Sequence, residues 1–448
     1  MTRLKWFRWF VPGLNIKRWL TLFGLGVGAV IFGLSIMLNY QWISFFEDLV
    51  LQYSYLWFGV YDYAVLVAVG VVAIALGALC MLVGTSKVIK TIIRAIIPEG
   101  EGVGDMIFQN MRLQKGPKVV VIGGGTGLSN LLRGLKSYTN NLTAIVTVAD
   151  DGGSSGRLRE DFNMIAPGDL RNCLVALADT ESLMENLFQY RFSGKGELSG
   201  HSFGNLFLTA LTQVYENDVE EALEAASKIL KVRGRVIPAS TEFIKLSAEL
   251  EDGTVVHGES NIPHGGSPIK RVFSSPLKPT PEGAALRAID EADAIILGPG
   301  SLYTSIIPNL LIKKIAVHLR ASKVPKIYVC NVMTQPGETD GYSVADHIEA
   351  IERHGGRGLI NTVLVNESTM DQDLLKAYEK AGQGPVAIDM DRLSKKKIRT
   401  VRANLVSSNN RAIHDHDRLG KVLMDIIYAL KTDIEPHVLE SYLERNDH

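Results

Sequence analysis

Residues 118–127 read KVVVIGGGTG, a β-branched run followed by a glycine turn, and an amphipathic stretch continues from there to residue 138. A strand that ends in glycines and hands over to a helix lets backbone approach a diphosphate. The helix N-terminus then offers unpaired N–H groups and a positive dipole end. Gly123 and Gly125 fit the spacing of a dinucleotide fingerprint, but Leu128 stands where its third glycine belongs. Gly123, Gly124, Gly125, Thr126 and Gly127 therefore form a candidate phosphate-binding loop, with a tight structural turn as the alternative. A second apolar run at 142–149 completes a βαβ opening, which implies a parallel sheet covered by helices. The expected fold class is α/β: a Rossmann-like parallel sheet with helices on both faces and insertions, its ligand crevice at the carboxyl ends of the strands.

Further strand-to-loop transitions repeat the pattern. Residues 294–297 (AIIL) run into 298-GPGSLYTS-305, while 315–319 and 326–330 read as two more buried strands. A helix is expected over 218–230 and a β-hairpin over 243–258 around Asp252 and Gly253.

The loops carry the candidate chemistry. After the second strand, 150-DDGGSSGR-157 supplies Asp150 and Asp151 for a ribose, a base or a hydrated Mg²⁺. Gly152, Ser154, Ser155 and Arg157 add phosphate-binding groups, against the alternative of an exposed turn with an N-capping side chain. Two polar segments precede apolar helices. One contains Gly168, Asp169, Arg171 and Asn172; the other contains His201, a candidate general acid or base, and Asn205. Asp169 also fits an ordinary N-cap. Gly298, Gly300 and Ser301 repeat the glycine loop, Tyr303 offers a stacking surface, and Thr304 and Ser305 offer hydroxyls. Asn331 and Thr334 open a polar segment, 331-NVMTQPGETDGY-342, placed to form the floor or lid of the crevice. No GxxxxGK[ST], GxSxG or HExxH pattern occurs, which excludes P-loop, hydrolase-elbow and zincin readings.

Residues 1–97 form a different kind of sequence. No charged residue occurs between Arg18 and Glu47, or between Asp62 and Lys87. Residues 19–38 and 64–84 are each long enough to cross hydrocarbon as a helix. Gly24 and Gly28 have GxxxG spacing and are expected to help the two helices pack. The length of the first run and the second run close behind it argue against a cleaved signal peptide. Arg3, Lys5, Arg8, Lys17 and Arg18 precede the hairpin and Lys87, Lys90 and Arg94 follow it. The connection holds only Glu47, Asp48 and Asp62 among aromatics such as Tyr53, Tyr55 and Trp57. Basic flanks stay inside, so both termini and the large C-terminal domain are expected in the cytoplasm, on a multi-pass membrane anchor. Residues 87–97 read either as an amphipathic surface helix or as the end of the second span. The expected organisation is an anchor over 1–97, a linker over 98–117 and a ligand-binding domain over 118–448.

Charge follows the same division. The 448 residues carry a formal net charge of −1, but the first 97 hold eight basic and three acidic residues, leaving the remainder mildly acidic. That excludes a broad nucleic-acid-binding face. Cys80, Cys173 and Cys330 are far apart in apolar settings, which excludes a zinc or disulfide framework.

Taken together, GGGTG, ADDGGSSGRLR, PGDLRN, GHSFGNL, GPGSLYTSIIPNLL and TQPGETDGY resemble the gluconeogenesis-factor (YvcK-like) family of bacteria. That family is related to the 2-phospho-L-lactate transferases (CofD) of deazaflavin coenzyme biosynthesis. The resemblance covers residue 118 to the C-terminus. It implies a Rossmann-like fold that binds a UDP-sugar, notably UDP-N-acetylglucosamine, with roles in carbon metabolism, cell shape and cell-wall homeostasis and no established reaction. The related transferases use a guanylyl-activated lactate-type donor, a deazaflavin acceptor and Mg²⁺. Two departures stand out. Familiar soluble members lack the hairpin, and related sequences place Arg directly before a His-Asp pair where this chain has Ile413, with Arg411 two residues earlier.

The leading expectation is a UDP-sugar-binding regulator at the bacterial inner membrane face, requiring no cofactor, binding no nucleic acid and with a homodimer as a further possibility. The alternative is a transferase of a phosphorus-containing group, with Mg²⁺ on Asp150, Asp151 and Asp169. A nicotinamide-dependent dehydrogenase ranks third because the fingerprint is broken.

Overall fold

The structure, a computed structural model, describes residues 16–37, 44–59, 63–96, 111–179, 182–368, 371–406 and 412–431. The basic residues before Ile16, residue 97 at the end of the expected anchor, residues 98–110 of the expected linker, and Arg411 lie outside the described residues. Two compact units, Met1–Asn110 and Met111–His448, divide the chain within the stretch read as linker.

The first unit holds helices Ile16–Met37, Ser44–Phe58 and Tyr63–Ile96. Arg18–Met37 and Ala64–Thr91, of 20 and 28 residues, are long and apolar enough to span a bilayer by length and composition. Their contact is a seam of small residues spaced by seven. A Cβ on Gly26 would lie 2.6 Å from the carbonyl oxygen of Gly77, and one on Gly33 would lie 2.6 Å from that of Gly70. One heptad further, Gly84 rests on the backbone of Trp19. Seven residues make nearly two turns, so these glycines share one stripe and let two backbones approach. The expected GxxxG pair takes no part. A Cβ on Gly24 or Gly28 would meet nothing within 4 Å, and both line an open apolar groove with Leu25 and Ala29. The long helix also runs unbroken to Ile96, so residues 87–96 continue it rather than form a separate surface helix. The connection, read from the sequence only as interfacial aromatics, contains a helix of its own with Tyr53, Tyr55 and Trp57 exposed.

The second unit is built on seven strands: β1 (Val119–Gly123), β2 (Leu142–Val146), β3 (Arg235–Pro238), β7 (Ala294–Leu297), β8 (Lys326–Val329), β9 (Thr362–Asn366) and β10 (Arg399–Ala403). All pairings in this sheet are parallel, in the order β10-β9-β8-β7-β1-β2-β3. Val119 sits opposite Leu142 on one side and Ala294 on the other. Val119, Val120, Val121 and Ile122 are buried together, as a strand covered on both faces requires. Helix Gly125–Leu135 buries Leu128, Leu131, Leu132 and Leu135, the i, i+3, i+4, i+7 stripe of a core-facing helix.

Between β3 and β7 the chain inserts an antiparallel sheet of β4 (Lys245–Leu250), β5 (Val255–His257) and β6 (Ile269–Ser275), ordered β5-β4-β6. Its first hairpin turns at Asp252-Gly253, the expected place, with Gly253 at φ +87°. One expected strand is absent: residues 315–319 lie in helix Lys313–Ala321. Ile315, Ala316 and Leu319 point inward while Val317 is half exposed, a helical spacing that a short apolar run conceals.

The sheet grows by β2 and β3 on one side of β1, then by β7 to β10 on the other. The reversal at β1/β7 is the topological switch point, where an open α/β sheet leaves a crevice beyond its strand ends.

Candidate functional site

β1 and β7 end side by side, and each runs directly into a glycine loop. The loops touch. A Cβ on Gly127 would lie 2.6 Å from the carbonyl oxygen of Pro299, and one on Gly124 would lie 2.5 Å from Thr147 and 2.6 Å from the Asp169 carboxylate. Only glycine fits at either position. Thr126 and Gly127 begin a helix of 11 residues, so their N–H groups lack intrahelical acceptors at the cleft wall.

The β7 loop is held from behind by the segment after β8. Asn331 donates Nδ2–H to the Gly300 carbonyl (2.8 Å) and accepts the Gly300 N–H at Oδ1 (3.2 Å). Gln335 donates to the Ser301 hydroxyl (2.9 Å). Buried Glu338 accepts the Tyr303 N–H (3.2 Å) and the Thr304 hydroxyl (3.1 Å). These bonds fix a wide helical turn, Leu302–Ile306, that presents Thr304 and Ser305 to the cleft.

The resulting cleft has a volume of about 650 Å³. Asp150, Asp169 and Glu259 line it. Burial pushes the Asp169 carboxyl up to about 6 against the N–H of Gly125, with nearby Asp150 adding to the rise. Glu259 rises to about 8, chiefly through burial and then through the charges of Asp150 and Asp151. Further along, His414 is buried, which lowers its ring to about 4, and its Nε2 has no hydrogen-bond partner among the described residues. Asn130 donates to the His414 carbonyl (2.6 Å), tying the first helix of the fold to the start of the last one. Val332, Met333 and Ala412 form an apolar wall with Tyr378, whose hydroxyl accepts the Ala412 N–H at 3.1 Å. The cleft thus pairs a polar, glycine-lined end suited to phosphates with an apolar, aromatic end suited to a ring.

Residues 119–406 match the family model described as 2-phospho-L-lactate transferase CofD. The putative gluconeogenesis factor of Nostoc sp. is 47% identical over 424 residues, covering 94% of this chain and 92% of the relative. The chain belongs to the gluconeogenesis factor family. The gluconeogenesis factor of Bacillus subtilis is 48% identical over 312 residues, which is 69% of this chain and 98% of the relative. A crystallised protein of Bacillus halodurans is 47% identical with a TM-score of 0.67, covering 69% of this chain and all of that one. The family therefore includes chains that match little beyond the second unit. It also includes the Nostoc relative, whose alignment must take in most of residues 1–96.

The structure brings eleven of the candidate residues to one cleft: Gly125, Thr126, Gly127, Asp150, Asp169, Gly300, Ser301, Thr304, Ser305, Asn331 and Thr334. Gly123, Gly124 and Gly298 shape its loops from beneath. Asp169 is not an N-cap; it sits inside the first turn of helix Pro167–Leu177 and reaches the Gly125 N–H. Asp151 turns away from the cleft and accepts the N–H groups of Glu259 and Ser260, both at 2.9 Å. Gly152 caps helix Gly153–Asp161, with its N–H on Asp150.

A further group lies behind the cleft. Ser154 is buried between His201 Nδ1 and Asn205 Nδ2, each at 3.0 Å. Arg171 donates to Ser202 and Asn172, Arg157 donates to the Ser199 carbonyl, and Ser155 packs beneath Gly168. In place of the expected stacking surface, Tyr303 is buried with its hydroxyl 2.8 Å from that of Tyr342. These polar side chains join helices Gly153–Asp161, Pro167–Leu177 and Phe203–Val214. Among cleft residues the sequence reading passed over Asn130, Thr147, Glu259, Tyr378 and Gln383. Glu259 arrives from the inserted sheet, so nothing in its local sequence marks it.

Proposed function

We propose that this chain is a ligand-binding regulator, anchored in the bacterial cytoplasmic membrane by residues 1–97, whose cytoplasmic cleft takes a nucleotide-sugar of the UDP-N-acetylglucosamine type. The observation that carries the reading is the contact of two glycine loops, at Gly127 and Pro299, across the switch point. Together they offer helix N-terminal N–H groups from one side and hydroxyls of Ser301 and Ser305 from the other, which suits a diphosphate. The apolar wall with Tyr378 suits a base or sugar face. Regulation of carbon metabolism and of cell shape and wall homeostasis follows from the family resemblance, and the anchor would hold such a sensor near envelope precursors.

A second reading, a Mg²⁺-dependent transferase of a phosphorus-containing group, is favoured by the family model and by the acidic cleft floor. Asp150 and Asp169 line the cleft together, two carboxylates that could share a hydrated Mg²⁺ with a phosphate, although no cluster of three metal-binding side chains occurs among the described residues. Asp151 does not fit that set, since its carboxylate is taken by the 259–260 backbone. When bound, Mg²⁺ would neutralise phosphate charge, while the glycine loops orient the phosphates and the apolar wall orients the second substrate.

Thermal unfolding of the full chain with candidate ligands separates the two. The regulator reading expects UDP-N-acetylglucosamine to raise the melting temperature in EDTA, without turnover. Stabilisation only by GDP with Mg²⁺ would discard it in favour of the transferase.

A further inference from the structure

The parallel sheet has two ends, and the one opposite the cleft carries its own charged pocket. β8, β9 and β10 begin at Lys326, Thr362 and Arg399, and below them a pocket of about 370 Å³ is lined by Lys323, Lys397 and Arg399, with Asn361, Thr362 and Leu430. Lys323 and Lys397 are exposed and Arg399 is half-buried. Among the described residues none of the three has a carboxylate within ion-pair distance. Other cations of this unit do: Lys118 pairs with Glu291 (3.0 Å), Lys431 with Asp293 (2.9 Å) and Arg402 with Glu367 (2.9 Å). Those pairs also take up Glu291 and Asp293, the carboxylates nearest the starts of β1 and β7. The β8–β10 side of this end is left with a net positive surface.

The chain enters the unit at the same end. β1 starts at Val119 and runs parallel to β8, β9 and β10, so its first residue lies in the row with theirs. β9 is three strands from β1, about 14 Å away at the usual spacing. Only residues 97–110 separate helix Tyr63–Ile96 from the second unit, a tether of at most about 50 Å when fully extended.

We infer that the Lys323, Lys397 and Arg399 end of the sheet docks on anionic phospholipid headgroups. The inference rests on the membrane reading above. Three cations around a pocket with an amide side chain suit phosphate oxygens of a lipid surface, and such attraction is short-ranged and screened by salt.

The test is lysine acylation of the full chain in nanodiscs, read by mass spectrometry. Discs of phosphatidylcholine are compared with discs containing equal parts of phosphatidylcholine and phosphatidylglycerol. Lys323 and Lys397 are expected to react several-fold more slowly in the anionic discs, and high salt should restore their rates. Lys376, on helix Gln372–Lys380 near the cleft, is expected to be unchanged. A Lys323→Glu, Arg399→Glu variant with an unaltered melting temperature should restore the rate at Lys397. Equal rates in the two discs, or slowing that also reaches Lys376, would overturn the inference. So would protection of the same lysines by inorganic phosphate in zwitterionic discs, which would mark a soluble-anion site. A chain that does not enter discs at all removes the membrane reading and the inference with it, and is recognised before any lysine is read.

Discussion

Both units use glycine to bring backbone against backbone, and the difference between the two uses separates anchor from site. In the N-terminal unit Gly26 meets Gly77 and Gly33 meets Gly70, one contact every two turns between helices whose backbone groups are already bonded. In the bilayer proposed for them the gain is close packing, because helices in an apolar solvent have little hydrophobic reason to associate. In the C-terminal unit Gly127 presses the first turn of a helix on the Pro299–Gly300 backbone of the second loop. Backbone N–H groups remain unpaired there, so closeness also prepares a place for an anion. The same residue thus closes a seam where hydrogen bonds are complete and, in the proposed reading, opens a binding place where they are not.

The comparison can be broken most severely at Gly127. Gly127→Val places a branched side chain against the Pro299 carbonyl. The expected result is a loss of roughly 2–3 kcal/mol of stability, measured by denaturant unfolding. Nucleotide affinity should fall on the order of a hundredfold as the loops part, about 2.7 kcal/mol in binding energy. Unchanged binding would show that the two loops do not form one cradle. Next in size is the seam. Gly26→Leu with Gly77→Leu should separate the hairpin, read as lost disulfide cross-linking between cysteines placed across it. Gly24→Leu with Gly28→Leu should leave the cross-link intact, since nothing lies within 4 Å of either glycine.

A smaller effect comes from the cleft floor. The ordinary carboxyl values of 3.8 and 4.5 rise in the folded protein to about 6 at Asp169 and about 8 at Glu259. The folded state therefore holds more protons than the unfolded chain between about pH 4 and pH 8. The stability these groups contribute is present below their unfolded values and is lost as pH rises through about 6 and then about 8. Melting temperature measured in EDTA should fall across that window. Asp169→Asn with Glu259→Gln should flatten the profile, and a profile unchanged by both substitutions would show the shifts to be wrong. The smallest effect is expected at Asp151. Asp151→Asn weakens its hold on the 259–260 backbone, and should lower nucleotide affinity only a few-fold while hydrogen exchange speeds up at residues 258–261.

Legibility differed with the distance over which a residue acts. The β1 strand, its glycine turn and the following helix are set by neighbours along the chain, so KVVVIGGGTG and the LSNLLRGL stripe disclosed them. The apolar spans were readable for the same reason. Ile315–Leu319 failed because five apolar and basic residues suit a buried strand or one face of a short helix equally, and the packing that decides comes from helices Gly283–Asp290 and Ile307–Leu311. In the cleft the glycine and hydroxyl loops were visible as local motifs. Their sorting was not: Ser154, His201 and Asn205 look as reactive in sequence as Asp150 or Asn331, yet they bond one another behind the cleft. Glu259 and Tyr378 reach the cleft from segments more than 100 residues from Asp150, where no local pattern marks the meeting.

The most direct test of the central claim is isothermal titration of the full chain with UDP-N-acetylglucosamine in EDTA, beside the Gly127→Val variant. Saturable binding to the native chain, lost in the variant at a temperature where it stays folded, is the predicted result. Absence of binding to the native chain, or equal binding to both, would contradict a cleft built from the touching loops of Gly127 and Pro299.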